Sequence, residues 1–130
     1  MHINDILNIA NPKQLEAIKH PLAPLMIIAG AGTGKTFTLE NRIVYMIQKY
    51  EVEPKNILTI TYTEKAANEL KSRLINKVGQ KAHPMFVGTF HVILCIRLWN
   101  GCYTWGTLRI RVQICLGSWI HVCLILYVSV

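Results

Sequence analysis

The residues best suited to chemistry form one short run, Ala29-Gly30-Ala31-Gly32-Thr33-Gly34-Lys35-Thr36. A small residue, four spacers and then Gly-Lys-Thr is the spacing of a phosphate-binding loop, with Ala29 standing where glycine is usual. Glycines let successive backbone N–H groups turn toward one anion. A helix starting near Lys35 would aim the positive end of its dipole at the same place. Lys35 offers a compact cation to β- and γ-phosphates, and Thr36 offers a hydroxyl to Mg²⁺. The run therefore predicts a site for ATP and Mg²⁺, lined by residues 29–36, with Lys35 and Thr36 as the groups closest to the chemistry.

Such a loop works only between a strand and a helix, and the flanking sequence supplies both. Leu25-Met26-Ile27-Ile28-Ala29 is a continuous apolar run that reads as a buried strand of a parallel sheet. From Lys35 to Tyr50, Phe37, Leu39, Ile43, Met46 and Ile47 recur at helical spacing. The pattern then repeats. Ile57 to Tyr62 is β-branched and aromatic, a strand; Ala66, Leu70, Leu74 and Val78 mark a helix that Gly79 stops; Met85-Phe86-Val87 is a third strand. Upstream, Asn11 is a helix cap and Pro12 suits the first helical position. Strands alternating with helices predict an α/β fold, a parallel sheet flanked by helices.

Four segments, in order, resemble the superfamily 1 DNA helicases of the UvrD/Rep/PcrA type. Asn11-Pro12-Lys13-Gln14 with Glu16-Ala17 looks like that family's Q motif, and Ala29 to Thr36 like its motif I. Thr61-Tyr62-Thr63-Glu64-Lys65-Ala66-Ala67 is similar to motif Ia, and Gly88-Thr89-Phe90-His91 to motif Ib. The resemblance implies the N-terminal part of a RecA-like P-loop NTPase domain over residues 1–91, in an ATP-dependent 3′-to-5′ helicase. It implies that Gln14 pairs with the adenine edge, which an amide can meet as donor and acceptor at once. It implies that Arg42 helps to hold the nucleotide. Tyr62, Thr63, Thr89, Phe90 and His91 would face single-stranded DNA, where aromatic rings stack on bases and polar groups hold phosphates. Competing readings make Tyr62 strand-end core and Phe90 helix-face core. Two positions depart from the family pattern: Tyr62 replaces Phe and Glu64 replaces Asn. The basic stretch Lys65, Lys71, Arg73, Lys77, Lys81 reads equally as a DNA contact or a solvated helix face.

Composition divides the chain. The net charge of +7 is compatible with a phosphate-rich partner. All seven acids lie between Asp5 and Glu69, whereas all four Cys and all three Trp follow residue 91. Residues 92–130 are read as an irregular apolar tail, with a shifted reading frame beginning between His91 and Gly101 as the leading explanation. A membrane anchor at Val112 to Val130 is the minor alternative, because that run has no Lys, Arg, Asp or Glu. The Cys residues form no close pair, which argues against a zinc site. With no secretory pattern at Met1 to Asn11, the expected location is cytoplasmic.

ATP hydrolysis by the family also needs an Asp-Glu motif for the metal and the attacking water, and a second RecA-like domain for stepping. No acid follows Glu69. The purified chain is therefore expected to separate no DNA strands in an unwinding assay; measurable unwinding would contradict this reading.

Overall fold

The computed structural model describes residues 8–23, 25–30 and 32–91, and the backbone of residues 109–117 and 123–129. Helix α1 (Pro12–Lys19) starts at a reciprocal cap. Asn11 Oδ1 accepts from the Gln14 N–H at 2.9 Å, while Gln14 Oε1 accepts from the Asn11 N–H at 3.0 Å. It ends at His20, whose extended backbone (ψ 137°) suits a residue preceding proline. Strand β1 (Leu25–Ala29) then leads through the glycine loop into helix α2 (Lys35–Lys49).

Strand β2 (Ile57–Thr61) and helix α3 (Glu64–Val78) repeat the unit. Thr63 caps α3, its hydroxyl accepting from the Ala66 N–H at 3.2 Å. Gly79 closes the helix at φ 79°, a backbone that favours glycine. Strand β3 (Phe86–Thr89) follows. It runs two residues past the expected end at Val87, because Gly88 and Thr89 pair with Ile60 and Thr61 of β2.

The sheet has the order β1-β4-β5-β2-β3, where β4 is Arg109–Gly117 and β5 is Cys123–Ser129. β1 runs parallel to β4, and β2 parallel to β3. β5 is antiparallel to both β4 and β2. Two reversals restore direction, so β1, β2 and β3 all point the same way. Their common direction is the one expected, but the sheet is mixed, and β1 and β2 are not neighbours. The expectation of an irregular tail is corrected at these two segments. Their β-branched and aromatic residues suit strands, and the facing edges of β1 and β2 offer backbone groups to pair with. Residues 92–108, 118–122 and 130, where the tail and shifted frame are expected, lie outside the described residues. Among the described residues, no helix is long and apolar enough to cross a membrane.

The core gathers where the helices meet β2. Ile18 of α1, Leu39, Ile43, Val44 and Met46 of α2, Ile57 of β2, and Leu70 and Leu74 of α3 are all buried in one cluster. Their spacing of three and four along each helix is what joins them. β1 differs from the buried strand expected of it. Its exposure alternates, and Met26 and Ile28 are 59% and 81% exposed. No described element covers that face of β1.

Candidate functional site

The loop after β1 is shaped by two glycines in the left-handed region, Gly32 at φ 73° and Gly34 at φ 80°. Any side chain would strain either position. At Gly34 space is also short: a Cβ there would lie 2.7 Å from Gln14 Nε2. The Thr33 hydroxyl donates to the Gly30 carbonyl at 2.8 Å, and the Thr38 hydroxyl donates to the Gly34 carbonyl at 3.0 Å. Lys35 turns its ammonium back to the end of β1, donating to the Ala29 carbonyl at 3.2 Å and to the Gly30 carbonyl. Thr36 is exposed on the first turn of α2. Ala31 lies outside the described residues. The loop thus brings a cation, a hydroxyl and the N-terminus of a 15-residue helix to one spot.

Gln14 joins this group. Its Nε2 donates to the Thr33 carbonyl at 3.1 Å, bridging α1 to the loop. Arg42 does not. It is 1% exposed, and its guanidinium donates to the carbonyls of Ile18 (2.8 Å), Pro21 (2.9 Å) and His20. The last carbonyls of a helix have no partners within it, and here α2 supplies them. Burial lowers the Arg42 pKa from its ordinary value, while Tyr50 and Tyr45 oppose that shift. Arg42 is thus placed on the seam between α1 and α2, with its guanidinium bonded to main-chain carbonyls.

The other candidates lie at the ends of β2 and β3. Thr61 and Thr89 are partners in register, and each strand then releases an aromatic residue. Tyr62 is 63% exposed and Phe90 is 41% exposed. Both competing core readings fail on those values. Thr63 is committed to capping α3, and Thr89 is buried, whereas His91 is exposed. Because β1, β2 and β3 share a direction, the loop and these aromatics follow the carboxyl ends of the strands. Open α/β sheets bind ligands at that end.

Sequence reading missed the ionic link between α2 and α3. Glu40 is buried, and it accepts from Arg73 at 3.0 Å and from Lys77 at 2.8 Å. Lys77 also donates to Asn41 Oδ1 at 3.0 Å and lies 5.6 Å from the centroid of the Phe37 ring. The bonds and charge of Glu40, then of Glu69, raise the Arg73 pKa above its ordinary value. Two cations of the basic stretch are therefore committed within the fold. The signal was present in sequence: Glu40 falls three residues after Phe37 and three before Ile43, on the apolar face of α2. Asn41 Nδ2 and Thr59 Oγ1 are buried without a hydrogen-bond partner among the described residues.

A β-strand, a left-handed glycine turn and a helix, repeated as strand and helix in a common direction, define an α/β domain with its candidate site at the strand ends. Residues 10–114 match the model of the UvrD/REP helicase N-terminal domain. The chain belongs to that family. It is 45% identical over 96 residues to the ATP-dependent DNA helicase PcrA of Staphylococcus aureus, and 43% identical over 96 residues to PcrA of Staphylococcus epidermidis. Each alignment covers 74% of this chain and 13% of the relative, so the chain spans about an eighth of the length of the proteins it matches.

The geometry of Arg42 generates a test. Arg42→Met removes a charged donor from three carbonyls and is expected to lower unfolding stability by about 3 kcal/mol in urea titration. Below its melting transition, the variant is expected to bind MgATP as the unaltered chain does. A loss of binding without a loss of stability would return Arg42 to the nucleotide site.

Proposed function

We propose that residues 1–91 are the N-terminal part of the ATP-binding domain of an ATP-dependent DNA helicase, a likeness that the family match carries on to residue 114. The loop from Ala29 to Thr36 takes the phosphates of ATP. The observation that carries this reading is the left-handed Gly34 immediately before Lys35 at the start of α2. That turn lets backbone N–H groups, the helix dipole and the lysine converge on one anion. Two of the three ammonium donors of Lys35 bond to carbonyls, and a phosphate oxygen is a stronger acceptor than either. The exposed Thr36 hydroxyl suits a Mg²⁺ ion bridging the phosphates. ATP with Mg²⁺ would supply the transferable phosphoryl group and the charge that offsets its negative oxygens.

Single-stranded DNA is the partner proposed for the strand ends. Tyr62 and Phe90, each one residue past the paired strand ends Thr61 and Thr89, present exposed rings, and exposed rings give a sequence-tolerant stacking surface. His91 and the Thr63 and Thr89 region would meet phosphates. Lys65 and Lys81 are exposed cations outside the Glu40 network. The 3′-to-5′ polarity is carried by the family likeness, and the cytoplasmic location by the expectation from the sequence of Met1 to Asn11.

The chain as given is proposed to bind nucleotide without turning it over, since the described acid nearest in sequence to the loop, Glu40, is committed to Arg73 and Lys77. Titration calorimetry with MgATP tests the site. Lys35→Ala is expected to abolish measurable binding while leaving the thermal transition in place. Equal affinity in both chains would refute the loop assignment.

A further inference from the structure

Gln14 reaches the loop from another element. Its carboxamide is engaged at both ends: Oε1 accepts from the Asn11 N–H at 3.0 Å, and Nε2 donates to the Thr33 carbonyl at 3.1 Å. The main-chain N–H of Asn11 holds Oε1, so the amide arrives at the loop with little freedom left to lose. The contact is close, since the position of a Cβ on Gly34 is only 2.7 Å from Nε2. Glycine at 34 is required by its left-handed backbone, and a Cβ there would also push the Gln14 amide aside.

We propose that Gln14 is a positioning residue for the phosphate loop, setting the orientation of the peptide between Thr33 and Gly34. This inference rests on the phosphate site proposed above. A peptide unit is planar and trans, so its C=O and N–H point to opposite sides. By holding the Thr33 carbonyl on the α1 side, Gln14 turns the Gly34 N–H to the other side, where the phosphates are proposed to bind. Preset donors cost no reorganisation when the anion arrives. The amide keeps a second N–H and a second lone pair, enough to meet an adenine edge as well. The two roles therefore separate by ligand: a base contact acts on ATP alone, whereas loop positioning acts on any polyphosphate.

The test uses the full 130-residue chain and two neutral variants, with inorganic tripolyphosphate and ATP, each with Mg²⁺, as calorimetric probes. Gln14→Met removes the amide without adding charge or disfavouring the helix. It is expected to weaken tripolyphosphate about fivefold, the effect of one lost hydrogen bond, and ATP by at least as much. Asn11→Ala removes the side-chain cap but leaves the Gln14 link, and is expected to bind tripolyphosphate like the unaltered chain. Thermal unfolding by circular dichroism sets an assay temperature at which all three are folded. The inference is overturned if Gln14→Met leaves tripolyphosphate affinity unchanged, whether or not ATP affinity falls. It is also overturned if Asn11→Ala weakens tripolyphosphate as much, because stability of α1 would then be the cause. An unaltered chain that binds neither probe would overturn the phosphate-site reading, and this inference with it.

Discussion

Sealing a guanidinium away from water is costly unless its donors meet acceptors, and Arg42 bonds to three main-chain carbonyls. Those carbonyls belong to the end of α1 and the turn after it, so the bond network locks α1 to the middle of α2. Ile18, 0% exposed and packed in the α2 core, reinforces the same seam. With α1 fixed at its carboxyl end, its amino end is carried beside the glycine loop, where Gln14 meets Thr33. Arg42 thereby helps to hold α1 beside the loop from the seam between α1 and α2. A lysine could not replace it, because a point cation lacks the planar fork that reaches several carbonyls at once.

A second constraint ties the loop helix to the rest of the domain. Glu40 on α2 faces Arg73 and Lys77 on α3, and α3 begins at Thr63, beside the exposed Tyr62. The helix that starts at the loop and the helix that starts at the strand-end aromatics thus share one buried carboxylate. With Glu40 buried, Lys77 mostly buried and Arg73 half-exposed, the network contributes orientation more than stability. The common direction of β1, β2 and β3 then brings the loop and the aromatics to the same end of the sheet. A mixed order with β4 and β5 between β1 and β2 leaves that direction intact.

Much of this was legible in the sequence because it is local. The cap at Asn11, the stop at Gly79, the Thr33-Gly34-Lys35 turn and the three forward strands each follow from residue types a few positions apart. The exposure of Tyr62 and Phe90 was not local, since stacking and core readings use the same rings. The bonds of Arg42 were hidden for a related reason. Its partners lie 21 to 24 positions away, and sequence gives no sign of which face of α2 meets α1. The Gln14 bond to the loop spans 19 positions and was equally hidden. β4 and β5 were missed because an apolar run without acids carries no register until neighbouring strand edges supply one.

Hydrogen–deuterium exchange of the full chain with and without MgATP tests the central claim, that the turn between β1 and α2 is a phosphate-binding loop. The account predicts slower exchange on nucleotide addition in peptides covering Gly30 to Phe37, with little change in β2 and β3. Saturating MgATP that leaves exchange across Gly30 to Phe37 unchanged, or protects another part of the chain instead, would contradict it.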